Sequence, residues 1–270
     1  MPASSDTAFD VRRVSYAYDN LPALLDVSLQ IRRGERIAFL GANGSGKSTL
    51  IRLLAGLAFP GNGEISFFGE SLTETRLREE EFFFRFRLGV GVIFQNPDIQ
   101  LFNASVFDEV AFGPLQLRWP KEQVRDKVEE TLRTMGIADL KNRAPHRLSG
   151  GEKKRVALAS VLVLNPSVLL LDEPSAGLDP KSQTQIIELL AASADSSRTV
   201  ITATHDLDAL EDIADRCYLL ENGRIAGEGA PLTILHNIGL LERTKLIRPH
   251  HHVHDAGVTQ PHPHLHSHGE

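Results

Sequence analysis

The stretch GANGSGKST, from Gly41 to Thr49, limits what this chain can fold into more than any other. An apolar run, ERIAFL (35–40), leads into it and a helix-forming run, STLIRLLAGL, leads out; from Gly41 to Ser48 it fits G-x-x-x-x-G-K-[ST]. Gly41, Gly44 and Gly46 let backbone N–H groups turn inward around a phosphate chain with no Cβ in the way. The helix that follows directs its positive N-terminal end at the same anion. Lys47 reaches the β and γ phosphates, and Ser48 offers its hydroxyl to Mg²⁺. Asn43, Ser45 and Thr49 complete the loop. A glycine-rich turn matching by accident would lack the strand and helix on either side, so a nucleoside triphosphate is expected here.

A phosphate loop between strand and helix implies an α/β sheet, and the chain supplies its other strands. LGVGVIF (88–94), SVLLLD (167–172), TVITATH (199–205) and RCYLLEN (216–222) are mostly apolar, as central strands covered on both faces must be. Their alternation with helical segments predicts a largely parallel sheet. FDVRRVSYAYDN through VSLQI reads as antiparallel strands with Asp19-Asn20 as a turn. Between about residues 100 and 165 no strand-like run occurs. There KEQVRDKVEETLRTM (121–135) lines up Val124, Val128, Leu132 and Met135 on one stripe, which predicts a helical subdomain inserted into the α/β core. The expected division is residues 1–245 as one nucleotide-binding domain and 246–270 as a tail, disordered unless something binds it.

Composition excludes several classes. With 270 residues, 41% apolar and 24% charged, the chain has ample material for a core. A net charge of −6 gives no support for a nucleic-acid-binding surface. One cysteine, Cys217, rules out an internal disulfide and reads as core. The N-terminus lacks the apolar segment of a signal peptide. No apolar run approaches the roughly 20 residues of a membrane-spanning helix, VALASVLVLNPSVLLL being broken at Asn165-Pro166. A soluble, cytoplasmic chain is expected.

Two further motifs carry chemistry. VLLLDEP (168–174) places Asp172 and Glu173 at the C-terminal end of a buried strand, the edge where ligands sit in open α/β sheets. Asp172 would hold Mg²⁺, and Glu173 would orient or deprotonate an attacking water. In isolation an Asp-Glu-Pro sequence is an ordinary turn; beside a phosphate loop it is more. LSGGEKKRVALA (148–159) sets Ser149, Gly150 and Gly151 just before a helix, offering a hydroxyl, free amides and a helix N-terminus to an anion. A helix cap alone needs the serine and not the paired glycines.

GANGSGKST, LSGGEKKR, VLLLDEP, SAGLD (175–179) and TATHD (202–206) occur in the order seen in ATP-binding-cassette ATPases, which the chain resembles over about residues 9–230. The resemblance implies that ATP is the nucleotide, with Mg²⁺, and that two subunits pair head to tail. Each ATP would then lie between the phosphate loop of one subunit and Ser149–Gly151 of the other. It implies that Gln95, in VIFQNP, contacts Mg²⁺ and the catalytic water and couples the site to a membrane partner. His205 would contact the γ-phosphate and help hold the water, and Asp179 would communicate across the dimer. Tyr18 stands where this family stacks an aromatic ring on adenine, with Tyr16 two residues away as the alternative. As lone residues, a Gln or a strand-end His would read as ordinary polar positions.

The chain resembles the transport members of the family. It lacks the long coiled coil of chromosome-maintenance types, the second cassette of translation-factor types, a fused membrane domain, and the regulatory β-domain of many sugar-importer ATPases. QNPDIQLF (95–102) followed by VFDEVAFGPLQLRWPKEQV (106–124) resembles the ATPases of energy-coupling-factor importers, which take up vitamins or the transition metals cobalt and nickel. The implied partners are a second ATPase subunit, identical or related, a transmembrane coupling subunit and a substrate-binding membrane subunit. The implied location is the cytoplasmic face of the membrane.

Two stretches stand apart. LREEEFFFRFRLGV (77–90) approaches the strand at 88–94 with Phe82, Phe83, Phe84 and Phe86, which cannot all face inward on one short strand. Some would pack on the core, and an exposed remainder would suit a partner contact. The chain ends in HHHVHDAGVTQPHPHLHSHGE (250–270), which holds His250, His251, His252, His254, His262, His264, His266 and His268 of the 11 histidines. It is not the uninterrupted block of a purification tag. Pro261 and Pro263 favour an extended backbone on which alternate histidines face one side and can gather Ni²⁺ or Co²⁺. Beside such an ATPase, the tail points to nickel or cobalt as substrate. A vitamin importer with an incidental tail, or a cytoplasmic metal-storage protein with a regulatory cassette, are the alternatives.

Overall fold

The structure is a computed structural model that describes residues 6–193 and 198–247. The tail histidines therefore lie outside the described residues. Two strands open the chain, β1 (Thr7–Tyr18) and β2 (Leu21–Arg32), paired antiparallel with Tyr18 opposite Leu21. Asp19 and Asn20 join them at φ 44° and 69°, the left-handed pair that a tight hairpin needs and that these two residue types tolerate. The chain continues through β3 (Arg36–Leu40), α1 (Lys47–Leu54), β4 (Asn62–Phe67), β5 (Glu70–Ser71), α2 (Glu80–Gly89) and β6 (Val90–Ile93). Helices α3 (Val106–Gln116), α4 (Lys121–Thr134) and α5 (Gly150–Leu162) follow. Then come β7 (Val168–Asp172), α6 (Pro180–Ser193), β8 (Thr199–Thr204), α7 (Leu210–Ile213), β9 (Arg216–Glu221), β10 (Arg224–Gly229), α8 (Pro231–Leu235) and α9 (Ile238–Arg243).

These strands form an antiparallel sheet in the order β2-β1-β4-β5 and a second sheet in the order β10-β9-β3-β8-β7-β6. In the second, β9, β3, β8, β7 and β6 run parallel and only the edge strand β10 is antiparallel. The expected mixture of a parallel core sheet and an N-terminal antiparallel unit is thus present. Among the described residues no strand lies between Ile93 and Val168, a region of helices and short turns.

Period-two alternation sorts each central strand between two cores. Ile37 and Phe39 of β3, and Val168 and Leu170 of β7, pack with α1 and the antiparallel sheet. Leu169 and Leu171 of β7 face the other way, against Val106, Val110, Val128, Leu132 and Val156 of the helical region. Ala38 and Leu40 meet Leu210, Cys217, Leu219 and Leu241 in a third cluster. The stripe foreseen on α4 is real, with Val124, Val128 and Leu132 buried and Met135 buried just beyond the helix.

One expectation needs correction. The phenylalanine-rich segment is a helix, and Leu88 and Gly89, read as strand, close it. Helical spacing sends Phe82 and Phe86, four apart, into the core beside Phe67. Phe83 and Phe84 fall off that stripe, and Phe83 remains 39% exposed. The period that decides the matter is 3.6 and not 2, which is how two rings out of four can be buried on so short an element.

Candidate active site

Register brings the site together. Leu40 at the end of β3 pairs with Thr204 at the end of β8, Asp172 at the end of β7 pairs with Ala203, and Ile93 at the end of β6 pairs with Leu171. The loops that leave these ends carry Gly41–Ser48, His205, Glu173 and Gln95. All four therefore emerge along one C-terminal edge of the parallel strands.

The loop after β3 has the backbone that its glycines permit. Gly44 and Gly46 sit at φ 80° and 108°, and a Cβ on Gly46 would lie 2.8 Å from both the Ala23 carbonyl and the Leu24 side chain. Helix α1 starts at Lys47 with Gly46 as its cap, no side-chain capping bond and no acidic residue in its first turn. Its N-terminal amides are thus left to an anion. The Ser45 hydroxyl is buried without a hydrogen-bond partner, a further donor within the loop. The Lys47 ammonium, 5% exposed, donates to the carbonyls of Gly41 (2.6 Å) and Ala42 (3.3 Å). Burial lowers its proton affinity, opposed by the nearby Glu173 and Asp172.

Across from Lys47 stand the two carboxylates. Asp172 is buried at the end of β7, and burial pushes its carboxyl above the usual range. The Ser48 hydroxyl donates to its Oδ1 at 2.9 Å. Glu173 has its Oε1 3.7 Å from the Lys47 ammonium and 2.8 Å from His205 Nδ1, while the Thr204 hydroxyl donates to Oε2 at 3.4 Å. Glu173 also holds φ at 48°, a left-handed conformation rare for a non-glycine residue. Its amide donates to the Ala203 carbonyl, which fixes the turn against β8. A buried carboxylate in a strained backbone, met by a lysine and a histidine, is the mark of a site that positions charge.

Lys47, Ser48, Asp172, Glu173 and His205 are thereby brought into one cluster. Gln95 is exposed, two residues beyond β6, and among the described residues no hydrogen bond or ion pair joins it to that cluster. Tyr18, 39% exposed at the end of β1, meets Tyr16 edge-on at 4.9 Å, and Arg52 of α1 reaches its hydroxyl at 3.4 Å. Tyr16 packs against the core, so Tyr18 is the freer ring. Ser149, Gly150 and Gly151 form no hydrogen bond to residues 41–49 among the described residues. Ser149 caps α5 through a full capping box with Glu152, accepting from its amide at 3.3 Å and giving its own amide to the Glu152 carboxylate at 2.7 Å. The serine thus does serve as a cap; Gly150 after it is exposed, and Gly151 is half-buried against Ser182 of α6. Asp179 accepts from the Ser182 amide (3.1 Å) and hydroxyl (2.6 Å) at the start of α6, bonds that hold its carboxyl below the ordinary range.

Sequence reasoning passed over two residues here. Thr204 supports Glu173 from the last position of β8. Lys154 is buried against the turn after β7 and is taken up below. Its signal was present: Lys154 lies three and four residues before Ala157 and Leu158, on the buried face of α5.

A parallel sheet with a phosphate loop on one central strand, an acidic pair at the end of another, and a separate serine-glycine helix start define an ATP-binding cassette. The ABC transporter family profile matches residues 24–176, and the chain belongs to that family. It is an ATP-binding ATPase. It is 51% identical to the nickel import ATP-binding protein NikO of Rhodobacter capsulatus, over 89% of this chain and 96% of that protein. It is 41% identical to the energy-coupling factor transporter ATP-binding protein EcfA of Methanothermobacter thermautotrophicus, over 89% of this chain and 76% of that one. Among solved structures it resembles cbiO1 of Clostridium perfringens, part of the ABC transporter complex cbiONQ. That match has a TM-score of 0.76 and 37% identity, and covers 90% of this chain and 96% of the other. Among the described residues no helix is long and apolar enough to cross a membrane.

Proposed function

We propose that this chain powers uptake of nickel or cobalt through separate membrane subunits of an energy-coupling-factor transporter, from the cytoplasmic face of the membrane. The likeness to NikO supports the metal, as does the histidine-rich sequence after Pro249, and the likeness to EcfA and to cbiO1, part of a transporter complex, supports separate membrane subunits. The chain works as a head-to-tail dimer, identical or of two related subunits. Supporting this, Ser149–Gly151 form no hydrogen bond to the phosphate loop of their own chain among the described residues, and Ser149 and Gly150 are exposed.

The observation that carries the catalytic reading is Glu173. Its Oε1 is shared between Lys47 and His205 in a buried, left-handed turn at the strand ends. The phosphate chain lies in the loop 41–49, against the free amides of α1, the Lys47 ammonium and the Ser45 hydroxyl, with adenine on Tyr18. The residues present also fit a divalent cation. Ser48 and Asp172 form a hard oxygen pair 2.9 Å apart, at a carboxylate that burial makes reluctant to stay charged alone. Together with Gln95 they would hold Mg²⁺, which supplies charge neutralisation on the phosphate oxygens when bound. Glu173 accepts a proton from a water molecule as the water oxygen forms a bond to the γ-phosphorus. The bond from that phosphorus to the β–γ bridging oxygen breaks, leaving ADP and phosphate. His205, with a proton on Nδ1, holds the Glu173 carboxylate in place and turns its other ring edge toward the phosphate. Asp179, beside the start of α6, faces the partner subunit.

Glu173→Gln keeps the shape and removes the base. It should bind ATP and dimerise with wild-type affinity while turnover falls by about 10²- to 10⁴-fold. Hydrolysis at the wild-type rate would overturn the assignment.

A further inference from the structure

Five residues after Ser149, on the same helix, Lys154 is 4% exposed. Its ammonium donates to three backbone carbonyls, those of Glu173 (3.3 Å), Pro174 (2.8 Å) and Ala176 (2.7 Å). Three N–H groups meet three acceptors, and among the described residues Lys154 forms no ion pair with a carboxylate. A buried ammonium balanced only by carbonyl dipoles is an expensive way to fill space. Burial pushes its proton affinity down to about 8, against the pull of the more distant Glu173 carboxylate. A methionine would fill the same volume at less cost, so the charge has a use beyond packing.

That use is visible in what the carbonyls belong to. They lie on the turn that leaves β7, carries Glu173 at φ 48° and leads toward Asp179. The Glu173 amide is pinned to Ala203 of β8, and its carbonyl is pinned to Lys154 of α5. The left-handed peptide is thus gripped from both sides. The neighbouring Lys153 makes a second tie, its ammonium 2.7 Å from Asp98 in the short turn Pro97–Ile99 that follows Gln95. The first two turns of α5 therefore hold the turn that leaves β7 and the turn that follows its neighbour β6.

We propose that Lys154 is a positioning residue: it clamps the Glu173 backbone and makes α5, with Ser149–Gly151 at its tip, move as one body with the general base. An event at Ser149–Gly151 is then felt at Glu173 of the same chain. This inference rests on the reading of Glu173 as base and of Ser149–Gly151 as the partner-facing half of a composite site.

The test is steady-state ATP hydrolysis and nucleotide binding by the full-length protein carrying Lys154→Met, Lys154→Gln, Glu173→Gln and the double variant Lys154→Met/Glu173→Gln. Lys154→Met should lower kcat on the order of 10- to 100-fold, as misplacement of a reacting group by about 1 Å does, and leave KM for ATP within about threefold. Lys154→Gln, whose amide still donates to two carbonyls, should recover part of the loss. In the Glu173→Gln background Lys154→Met should cost nothing further, because it acts through that residue. A folded Lys154→Met with wild-type kcat, or equal further loss in the Glu173→Gln background, would overturn the proposal. Should Lys154→Met fail to fold, Lys154→Gln carries the same comparison alone and in the double variant. Wild-type turnover by Glu173→Gln would instead sink the underlying assignment of the base.

Discussion

Glu173 concentrates the energetics of the site. Its left-handed backbone costs on the order of 1–3 kcal/mol, and its carboxylate is taken out of water beside a lysine that is equally buried. Such a residue persists because Ala203, Thr204, His205 and Lys154 hold it from four directions. Cys217 is the contrast: fully buried on β9, with its thiol pushed up to about 12 by burial. The native protein should therefore resist alkylation by a neutral-pH thiol reagent and react stoichiometrically once unfolded. Labelling of the native protein at the rate of a free thiol would show that β9 is not where it is placed. At this scale the sequence was most legible where a motif combined residue type with strand context. Lys47, Ser48, Asp172, Glu173 and His205 converge because consecutive strand ends share an edge. Lys154 was not foreseen, since a lysine in a helix reads as solvated until its neighbours on the buried face are weighed. Gln95, which the resemblance assigns to Mg²⁺ and the attacking water, emerges on the same edge, with no hydrogen bond or ion pair to the cluster among the described residues.

Elements depend on which period the apolar residues follow. On α2, Phe82 and Phe86 share a stripe and enter the core, whereas Phe83 and Phe84 do not. Four aromatics in five positions before a strand suggest β-structure, and only the spacing of four reveals the helix. Phe86→Ala should destabilise the fold by about 3–5 kcal/mol, read from denaturant unfolding, because it empties a site between Phe67 and Phe82. Phe83→Ser should cost less than about 1 kcal/mol, being partly exposed and off the stripe. Equal losses for the two would mean that the helix is rotated from the position described. The α4 stripe and the parallel strands followed their patterns directly, since α4 buries one continuous stripe and the central strands are buried on both faces.

At the scale of the whole molecule, the proposed site is shared between two chains. The phosphate loop and the acidic strand end meet in one chain, and Ser149–Gly151 form no hydrogen bond to that loop among the described residues, which is what a site completed by a second chain requires. Mixing full-length Lys47→Ala, which loses its own phosphate contact, with full-length Ser149→Arg, which blocks its outward helix tip, tests this. Each alone should be nearly inactive, and an equimolar mixture should recover about a quarter of wild-type hydrolysis, since about half of the dimers are mixed and each of those holds one intact site of two. No recovery in a mixture shown to form dimers would argue for a site complete within one chain. That two-chain arrangement came from the resemblance and not from any pattern of spacing, because a single sequence carries no record of which surfaces meet. The central claim is that this ATPase drives transition-metal import, and uptake of radiolabelled nickel and cobalt at low metal concentration tests it most directly. Cells carrying the intact gene should accumulate one of the two metals, and cells carrying Glu173→Gln at equal protein level should not. Equal accumulation of both metals in the two strains would contradict it.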